Sequence, residues 1–558
     1  INMVTRVVFV IVLIAFANGA TLYLSEDGTD TTSCSSSSPC GTLQDVVQVF
    51  NSNYANDTEL FIEVAQGVYS GSGNSNIEFP NVPITMEASD PEKFSTFTCN
   101  GGRDFLFSIV NDITLNNMYL SDCYSGIYIT GGNTEITNVG FLNMEICLSA
   151  DYSESFNFNV AGSNFTQCIM PINFSSEDSF ESFQMESCEF YESGLISVIM
   201  LQGQYVDGSV RNCNFYNGTN YVALFFQDGN WQISNVGIDG FESAIQYVGT
   251  TNQSNLYIES STILNAEIGV YFVGGNSFNI ENSFIGKVGS GIFLIDNIQH
   301  VSIDGCIFNE NTNPIFDIST SIYEIQLLNS VFNGTGSLVM GTSTRENIIG
   351  TVNKCAFIDQ YAPMTAHSGN WSFVGCKFIQ TEKIERSFVG GFLNLKNANY
   401  IFDDCMFSNY ETMLSGGAML IQDCPGVTFS NCLFNSCSAT NYGGAIMMVN
   451  VTNASFLDTS FINNTANLGG AIEIAQAENS TVYLENVTFD SNTANNGAAI
   501  YCCSEASGCN IHIVEYGQSV TLENNVNTAN NGEDVKCTIL YDYSYSYYYN
   551  YNGTSIYN

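Results

Sequence analysis

Basic residues are scarce in this sequence. Its 558 residues include 12 Lys and Arg and 3 His against 55 Asp and Glu, which gives a formal net charge of -43. The phosphates of nucleic acids must be neutralised by Lys and Arg, so a nucleic-acid partner is excluded, and anionic lipid surfaces are equally unfavourable. An acidic surplus of this size keeps a protein soluble and also attracts divalent cations, and composition does not separate these two roles.

Long apolar runs are also scarce. Beyond the first 20 residues, no uninterrupted apolar segment reaches the length of about 18 residues that a transmembrane helix needs. At the start, Met3 and Arg6 precede an apolar run over residues 7–16 and the small residues 17–20. This pattern predicts a signal peptide over residues 1–19, cleaved after Gly19 or, nearly as favourably, after Ala20. We therefore expect a secreted protein, extracellular or at the cell surface, with no membrane span and no lipid-anchor tail.

Recognisable catalytic motifs are absent as well. Asp403 and Asp404 are adjacent, like the paired aspartates of polygalacturonases, but neither Gly-His-Gly nor Arg-x-Lys accompanies them. His300 and Asp304 would point to the same side of one strand, a spacing that we interpret as chance. His367 and His512 have no evident carboxylate partner in the sequence. The basic residues Lys377, Lys383, Arg386 and Lys396 surround one long repeat, which we interpret as a solvated loop. We predict no catalytic, cofactor-binding or metal-binding residues and no cofactor.

Cysteines and Asn-x-Ser/Thr sequons are plentiful instead. The 19 cysteines are typical of an oxidising compartment, and their odd number leaves at least one free or paired between chains. Sequons accept N-linked glycans in the eukaryotic secretory pathway. We predict glycosylation at Asn56, Asn164, Asn173, Asn217, Asn252, Asn333, Asn370, Asn450, Asn453, Asn463, Asn479, Asn486 and Asn552.

A repeat organises most of the chain. Gly-Gly-Ala-Ile occurs at residues 443–446 and again at 469–472, with Phe-Ile-Asn-Asn between the two copies. Cys-x-Phe recurs with its Cys at positions 213, 306, 355, 376, 405 and 432, and weaker matches extend the series. Sixteen anchors between positions 118 and 489 give a mean period of about 25 residues. A fixed period of this length predicts a solenoid.

The apolar pattern within each repeat is short. Apolar residues alternate or form brief β-branched and aromatic runs, interrupted by Asn, Gly and Asp, and no helical period is present. This predicts an all-β, parallel β-helix solenoid of about 16 coils. Cys and Phe of each Cys-x-Phe would face inward and stack between coils, either as buried free thiols or as disulfides between coils. Asn would occupy left-handed turns and form ladders, and Gly-Gly would allow tight corners.

The C-terminal repeats carry the closest resemblance to a known family. The phrases are Gly-Gly-Ala at 416–418, 443–445 and 469–471, with key positions Gly443, Gly444, Gly469 and Gly470, and Phe-x-x-Asn at Phe461, Asn464, Phe489 and Asn492. They resemble the repeats of polymorphic outer-membrane-protein-like, right-handed parallel β-helices, which also occur in secreted protist proteins. The resemblance covers about residues 405–500 and implies an adhesin or surface protein. The secretion route and anchoring of those relatives are not carried over.

The two ends differ from the repeats. We predict an N-terminal cap with the first coils at 20–95, β-helix repeats at 96–500, and a Cys-containing C-terminal cap with a Tyr-rich tail at 501–558. A short helix near Thr42, resembling the cap of pectate-lyase-like β-helices, would cover the first coil. We predict that Cys34 and Cys40 form a small disulfide loop. In the C-terminal cluster of Cys502, Cys503, Cys509 and Cys537, disulfides are favoured over a metal site. The tail is either disordered or a strand that adds to a partner.

These features predict a secreted, glycosylated protein with a structural role. It would act in extracellular adhesion or as a subunit of a surface coat or filament. Its ligand would be an extracellular carbohydrate or protein, or a second copy of the chain. The alternative is a lyase or hydrolase acting on an acidic polysaccharide, since many right-handed β-helices cleave such polymers.

Overall fold

Short parallel strands make up almost all of the regular structure. A computed structural model of the chain describes residues 19–152, 157–176, 182–200, 206–218, 221–295, 298–312, 316–318, 322–336, 338–340, 348–360, 364–381, 391–475, 480–502, 511–515, 520–528 and 535–536. The fold is an all-β, right-handed parallel β-solenoid of about 15 turns with 3% helix. The predicted fold class is confirmed, with about one turn fewer than the repeat count indicated.

The chain divides into two compact units, Ile1–Ser193 and Gly194–Asn558. In the first unit, long strands bend around several corners of a coil, and neighbouring strands pair in parallel. Its strands are Gly19–Leu24, Glu59–Val64, Val68–Ser70, Ile77–Glu78, Ile84–Ala88, Ser95–Ile109, Ile113–Ile129, Thr134–Tyr152, Asn157–Ala161, Asn164–Ser176, Ser182–Glu186 and Glu189–Tyr191.

The second unit has three parallel sheets. We number them 1, 2 and 3 in the order in which their strands follow one another along each coil. Sheet 1 consists of Asp207–Arg211, Asn230–Ser234, Asn255–Glu259, Ser277–Glu281, His300–Asp304, Glu324–Leu328, Ile349–Asn353, Asn370–Val374, Asn399–Asp403, Gly426–Ser430, Asn453–Leu457, Ser480–Glu485 and Ile511–Glu515. Sheet 2 consists of Asn214–Tyr216, Gly237–Asp239, Thr262–Leu264, Phe284–Gly286, Ile307–Asn309, Val331–Asn333, Ala356–Ile358, Lys377–Ile379, Met406–Ser408, Leu433–Asn435, Ser460–Ile462, Thr488–Asp490 and Thr521–Glu523.

Sheet 3 closes each coil of the second unit. It consists of Ile196–Met200, Val222–Gln227, Ser243–Val248, Ile268–Val273, Ser290–Ile295, Phe316–Ile318, Leu338–Met340, Met364–His367, Leu393–Lys396, Met419–Gln422, Ile446–Val449, Ile472–Ala475, Ile500–Cys502 and Val535–Lys536. Two further short pairs are Glu411–Thr412 with Ser438–Ala439 and Thr493–Ala494 with Val526–Asn527. In the sheet 1 strands from Asp207–Arg211 to Ser480–Glu485, inward and outward residues alternate, as the pleat requires.

A helix of 11 residues, Leu43–Asn53, caps the first coil. The Oγ1 of Thr42 accepts a hydrogen bond from the backbone N–H of Asp45, so Thr42 is the N-cap, as predicted. The helix buries Leu43, Val46, Val49 and Phe50 and contacts the strand Gly19–Leu24. The sequence prediction of a capping helix is confirmed.

A stack of phenylalanine rings forms the core behind sheet 2. Consecutive rings have centroids 4.7–5.1 Å apart and planes within 4–9° of parallel. The stack runs through Phe308, Phe332, Phe357, Phe378, Phe407, Phe434, Phe461 and Phe489. Each ring is buried, so this stack removes a large apolar area from water and fixes the register of successive coils.

The cysteines of Cys-x-Phe form a column of buried free thiols beside these rings. Cys355, Cys376, Cys405 and Cys432 occupy equivalent positions in four consecutive coils, and none is in a disulfide. Burial raises the pKa of Cys355 to about 12, so its thiol remains protonated and unreactive at neutral pH. The sequence left open whether these cysteines are buried free thiols or form disulfides between coils, and the structure shows free thiols.

The Gly-Gly-Ala-Ile phrases are one corner repeated in successive coils. The first glycine has a left-handed backbone, with φ of +59° at Gly443 and +64° at Gly469. The second glycine lies against the next coil, because a Cβ on Gly444 would be 2.0 Å from the carbonyl oxygen of Gly470. The two glycines of each phrase therefore meet separate constraints, and neither leaves room for a side chain.

Asparagine ladders connect the corners. In the Phe-x-x-Asn phrases, the buried Asn464 donates through Nδ2 to Asn492 Oδ1 at 3.0 Å and to the carbonyl oxygen of Phe434 at 3.0 Å. At the turn between sheets 1 and 2, Asn212 and Asn235 have φ of 54° and 53°. Asn235 Nδ2 donates to Asn212 Oδ1 at 2.7 Å. The turn asparagines thus adopt the left-handed conformation and form the ladders that the sequence predicted.

The phenylalanine stack gives a first prediction. Replacing Phe434, which packs between Phe407 and Phe461, with Ala should lower the free energy of unfolding by about 3–5 kcal/mol, because a cavity opens between two fixed rings. Leu433→Ala is the matched control, since Leu433 precedes Phe434 and points outward. Urea unfolding of both variants checks this, and equal losses in the two would contradict the assignment of inward and outward sides.

Candidate functional site

The outward side of sheet 1 is built mainly from amide and hydroxyl side chains. We define the polar face as the first, third and fifth residues of the sheet 1 strands from Asn230–Ser234 to Asn370–Val374. Asn255 Nδ2 donates to Asn230 Oδ1 at 2.6 Å, and Asn276, just before the next strand, donates to Asn255 Oδ1 at 3.0 Å. Because these groups hold one another in place, the face presents ordered donors and acceptors to solvent.

Three carboxylates follow one another on this face. Glu259, Glu281 and Asp304 occupy the same register position in three consecutive coils, and we call them the carboxylate row. Tyr257 donates its hydroxyl to Glu281 Oε2 at 3.0 Å. Partial burial, followed by the hydrogen bond and negative charge of Glu281, raises the pKa of Tyr257 to about 12. The phenol is therefore a hydrogen-bond donor at neutral pH, and the row has a fixed aromatic neighbour.

His300 also belongs to the polar face, but its partner differs from the one examined in the sequence. His300 Nδ1 lies 3.1 Å from Glu324 Oε2, on the neighbouring strand at the same register position. Asp304 instead accepts a hydrogen bond from Asn329 Nδ2 at 2.8 Å. The sequence does not indicate Glu324 as the partner of His300, because the two residues are 24 positions apart and meet only through the register of neighbouring coils.

The adjacent Asp403 and Asp404 lie at the end of one strand of sheet 1 and in the turn that follows it. Asp403 ends a strand of sheet 1 and points outward, where its Oδ1 accepts from Asn431 Nδ2 at 3.4 Å. Asp404 lies in the following turn with φ of 52°.

The basic residues are dispersed over different sheets. Lys377 lies on the outward side of sheet 2, and Lys396 lies on sheet 3 opposite His367 in register. Burial and then the charge of Lys396 lower the pKa of His367, which favours a neutral imidazole. The predicted solvated loop is wrong for Lys377 and Lys396, whose strands pair with neighbouring coils; Lys383 and Arg386 lie outside the described residues. His512 pairs in register with Thr481 at the far end of sheet 1.

Most of the predicted glycosylation sites are exposed. The exposed sequon asparagines are Asn56, Asn164, Asn217, Asn252, Asn370, Asn450, Asn453, Asn463 and Asn486. Asn173 and Asn333 are half-buried, and Asn479 and Asn552 lie outside the described residues. On sheet 1, the sequons at Asn370 and Asn453 come after the carboxylate row along the chain. The strands that carry the row contain no sequon themselves.

Three disulfides lie in the first unit. They join Cys34 to Cys40, Cys99 to Cys123 and Cys147 to Cys168. The predicted pair Cys34–Cys40 is confirmed. The other two pairs were not predicted, because their cysteines lie outside the regular Cys-x-Phe series. Cys502 is disulfide-bonded, whereas Cys503, Cys509 and Cys537 lie outside the described residues.

Glu473 is a buried carboxyl group that the sequence did not indicate. It lies on sheet 3 with 5% of its surface exposed, and its Oε2 has no hydrogen-bond partner among the residues that the structure describes. Burial raises the pKa of Glu473 to about 8, so it is mainly protonated at neutral pH. Its strand neighbours in register are Met447 and Tyr501, which supply no positive charge.

Two searches of the described residues gave no further site. Across the described ranges, no group of three or more His, Cys, Asp and Glu side chains is arranged to hold a metal ion. In the same part of the chain, no helix has both the length and the apolar character needed to cross a membrane.

The fold and faces define a parallel β-helix protein, and comparison with known proteins adds little to this. No protein-family model and no curated protein matches the sequence. Among solved structures, a PL6 family alginate lyase, AlyGC, is 9% identical with a TM-score of 0.30, over 90% of this chain and 100% of that chain. The catalytic unit of a thermostable GH87 α-1,3-glucanase from Streptomyces thermodiastaticus is 11% identical with a TM-score of 0.30, over 94% of this chain and 71% of that chain.

A pectate lyase, Pel9A, is 11% identical with a TM-score of 0.13, over 82% of this chain and 78% of that chain. At such identities and TM-scores, none of these likenesses assigns an activity to this chain. The resemblance of the C-terminal repeats to polymorphic outer-membrane-protein repeats stays a prediction.

The buried Glu473 predicts a pH-dependent stability. Its pKa in the folded state is above the ordinary value of 4.5, so the folded protein keeps a proton that the unfolded chain releases between about pH 4.5 and 8. Stability is therefore highest below this window and falls as the pH rises through it. Glu473→Gln should raise the free energy of unfolding at pH 7 by on the order of 2 kcal/mol and change it little at pH 4.

Glu485→Gln is the matched control, since Glu485 is exposed and its replacement removes the same formal charge. Thermal unfolding of both variants between pH 4 and 8 makes the comparison. A stabilisation by Glu473→Gln that is independent of pH would show that the carboxyl group is not protonated in the folded state.

Proposed function

We propose that this protein is an extracellular, glycosylated β-helix that binds a neutral ligand rich in hydroxyl or amide groups through its polar face. The role is adhesion or the building of a surface coat. The observation that supports this most is the ladder of ordered amides from Asn230 through Asn255 to Asn276, which lies along the solvent-facing side of sheet 1. A carbohydrate presents hydroxyl groups that match such a surface.

Electrostatics favours a neutral ligand over an acidic one. The chain carries a net charge of -43, and the carboxylate row places three acidic side chains on the polar face itself. Positive charge on this face is limited to the exposed imidazole of His300 when protonated, and Glu324 already pairs with it. A polymer of acidic sugars would therefore be repelled at distances within about 10 Å.

A second candidate function is the hydrolysis of a neutral glycan at the carboxylate row. Glu259 and Glu281 are register partners on neighbouring parallel strands, whose backbones are about 4.8 Å apart. This spacing is close to the separation of about 5–5.5 Å between the two carboxyl groups of retaining glycosidases. Such an enzyme needs one carboxylic acid to protonate the leaving group and one carboxylate as nucleophile. The hydroxyl of Tyr257 donates to Glu281 Oε2 at 3.0 Å and would hold that carboxylate in position.

The binding proposal predicts a loss of affinity from changes on the polar face. A double variant, Asn279→Ala with Gln326→Ala, removes two outward amides from this face and should weaken binding to neutral glycans about 10-fold, since two hydrogen bonds are lost. Asn435→Ala is the control, because Asn435 is an outward amide on sheet 2. Glycan-array binding followed by titration measures the effect. Equal losses in the variant and the control would contradict binding through the polar face.

The two candidate functions differ in their products. Incubation of the protein with neutral and acidic polysaccharides should yield no new reducing ends and no unsaturated sugars if the protein only binds. Release of reducing ends by the wild type that is abolished in both Glu259→Gln and Glu281→Gln would establish the hydrolase instead. Release that survives both substitutions would point to a contaminating enzyme and leave the binding function standing.

A further inference from the structure

An exposed aromatic cradle surrounds one predicted glycosylation site in the first unit. Asn164, in the sequon Asn-Phe-Thr, pairs in register with Gly140 on the preceding coil and with Glu189 on the following coil. Gly140 also pairs in register with Tyr119, which therefore lies two coils before Asn164. Asn164 thus lies in one outward column with Tyr119, Gly140 and Glu189.

Gly140 lets the ring of Tyr119 lie along the sheet towards Asn164. A Cβ on Gly140 would be 2.2 Å from Cδ1 and Cε1 of Tyr119, so the ring covers the backbone where a side chain would otherwise stand. The ring of Phe94 also packs against the ring of Tyr119, with centroids 4.7 Å apart. The ring is fixed in place, yet 40% of Tyr119 is exposed to solvent.

The neighbouring column completes the cradle. Leu142 and Tyr191 are the register partners of Thr166, one on each side, and are 42% and 40% exposed. The hydroxyl of Tyr191 donates to Glu189 Oε2 at 2.8 Å, which orients its ring. Exposed apolar and aromatic side chains therefore lie on the coils before and after Asn164, and neighbouring coils are about 5 Å apart.

The amide of Asn164 is free to react. The side chain is exposed and makes no hydrogen bond within the described part of the chain. Other sequon asparagines use the same amide nitrogen internally: Asn333 donates to Asn309 at 2.8 Å, and Asn450 donates to Asp423 at 2.8 Å. Asn164 thus combines a free amide with aromatic surface within reach of an attached sugar.

We infer that Asn164 carries an N-linked glycan whose first sugar packs on Tyr119 and Tyr191. In the secretory pathway, Nδ2 displaces the diphosphate of a lipid-linked oligosaccharide: the bond from the sugar C1 to the diphosphate oxygen breaks, the bond from C1 to Nδ2 forms, and Nδ2 loses one proton. The C–H face of the attached N-acetylhexosamine then covers the exposed rings. The inference depends on export and glycosylation and not on the ligand proposed for the polar face.

The test uses the full chain secreted from a eukaryotic host. Mass spectrometry of glycopeptides should find Asn164 occupied, and Tyr119→Ala should lower the Tm by about 2–4 °C in the glycosylated protein. In the Asn164→Gln background the same substitution should lower the Tm much less. Trimming the glycan to its first sugar should preserve this coupling, and removing it completely should abolish it.

Tyr124→Ala is the matched control, since Tyr124 lies on the same strand with 42% exposure and has no such register with a sequon. Its effect on the Tm should be the same in both backgrounds. An unoccupied Asn164, or equal effects of Tyr119→Ala with and without the glycan, would overturn the inference. If Asn164→Gln protein instead binds free neutral oligosaccharides and Tyr119→Ala removes that binding, the cradle serves an external sugar and the inference fails.

Discussion

Parallel pairing between equivalent positions of successive coils is the constraint on which this structure depends. Each coil places its residues directly above those of the coil before it, so any side chain that suits one coil must also suit its copy. Phe rings therefore stack with centroids 4.7–5.1 Å apart, thiols meet thiols, and amides meet amides. The same constraint shapes the outside, where it gathers Glu259, Glu281 and Asp304 from distant parts of the chain into one row.

The repeat makes the inside of the solenoid predictable from sequence. Cys405 and Phe407 both point inward because residues two apart share one side of a strand, and Gly444 is required because the next coil leaves no space for a Cβ. The outside is less predictable, because it depends on which residues become neighbours across coils of unequal length. His300 meets Glu324 after 24 residues, a pairing that needs the register itself.

The remaining differences have several local causes. The disulfides Cys99–Cys123 and Cys147–Cys168 lie in the first unit, where the Cys-x-Phe spacing is lost. Glu473 follows the Gly-Gly-Ala-Ile phrase in an outward position, which for a charged residue predicts exposure, yet it is buried. Lys377 and Lys396 were predicted in a loop because their repeat is long, although both lie on strands.

An ordered scaffold with an amide-rich polar face is suited to holding a ligand over several coils. The most direct test of this claim is hydroxyl-radical footprinting of the protein with and without a bound neutral glycan. The account predicts slower oxidation of Tyr257 and His300 on the polar face when the glycan is bound. Tyr442, which is 39% exposed outside this face, should be unaffected. Protection of Tyr442 with unchanged oxidation of Tyr257 and His300 would contradict binding through the polar face.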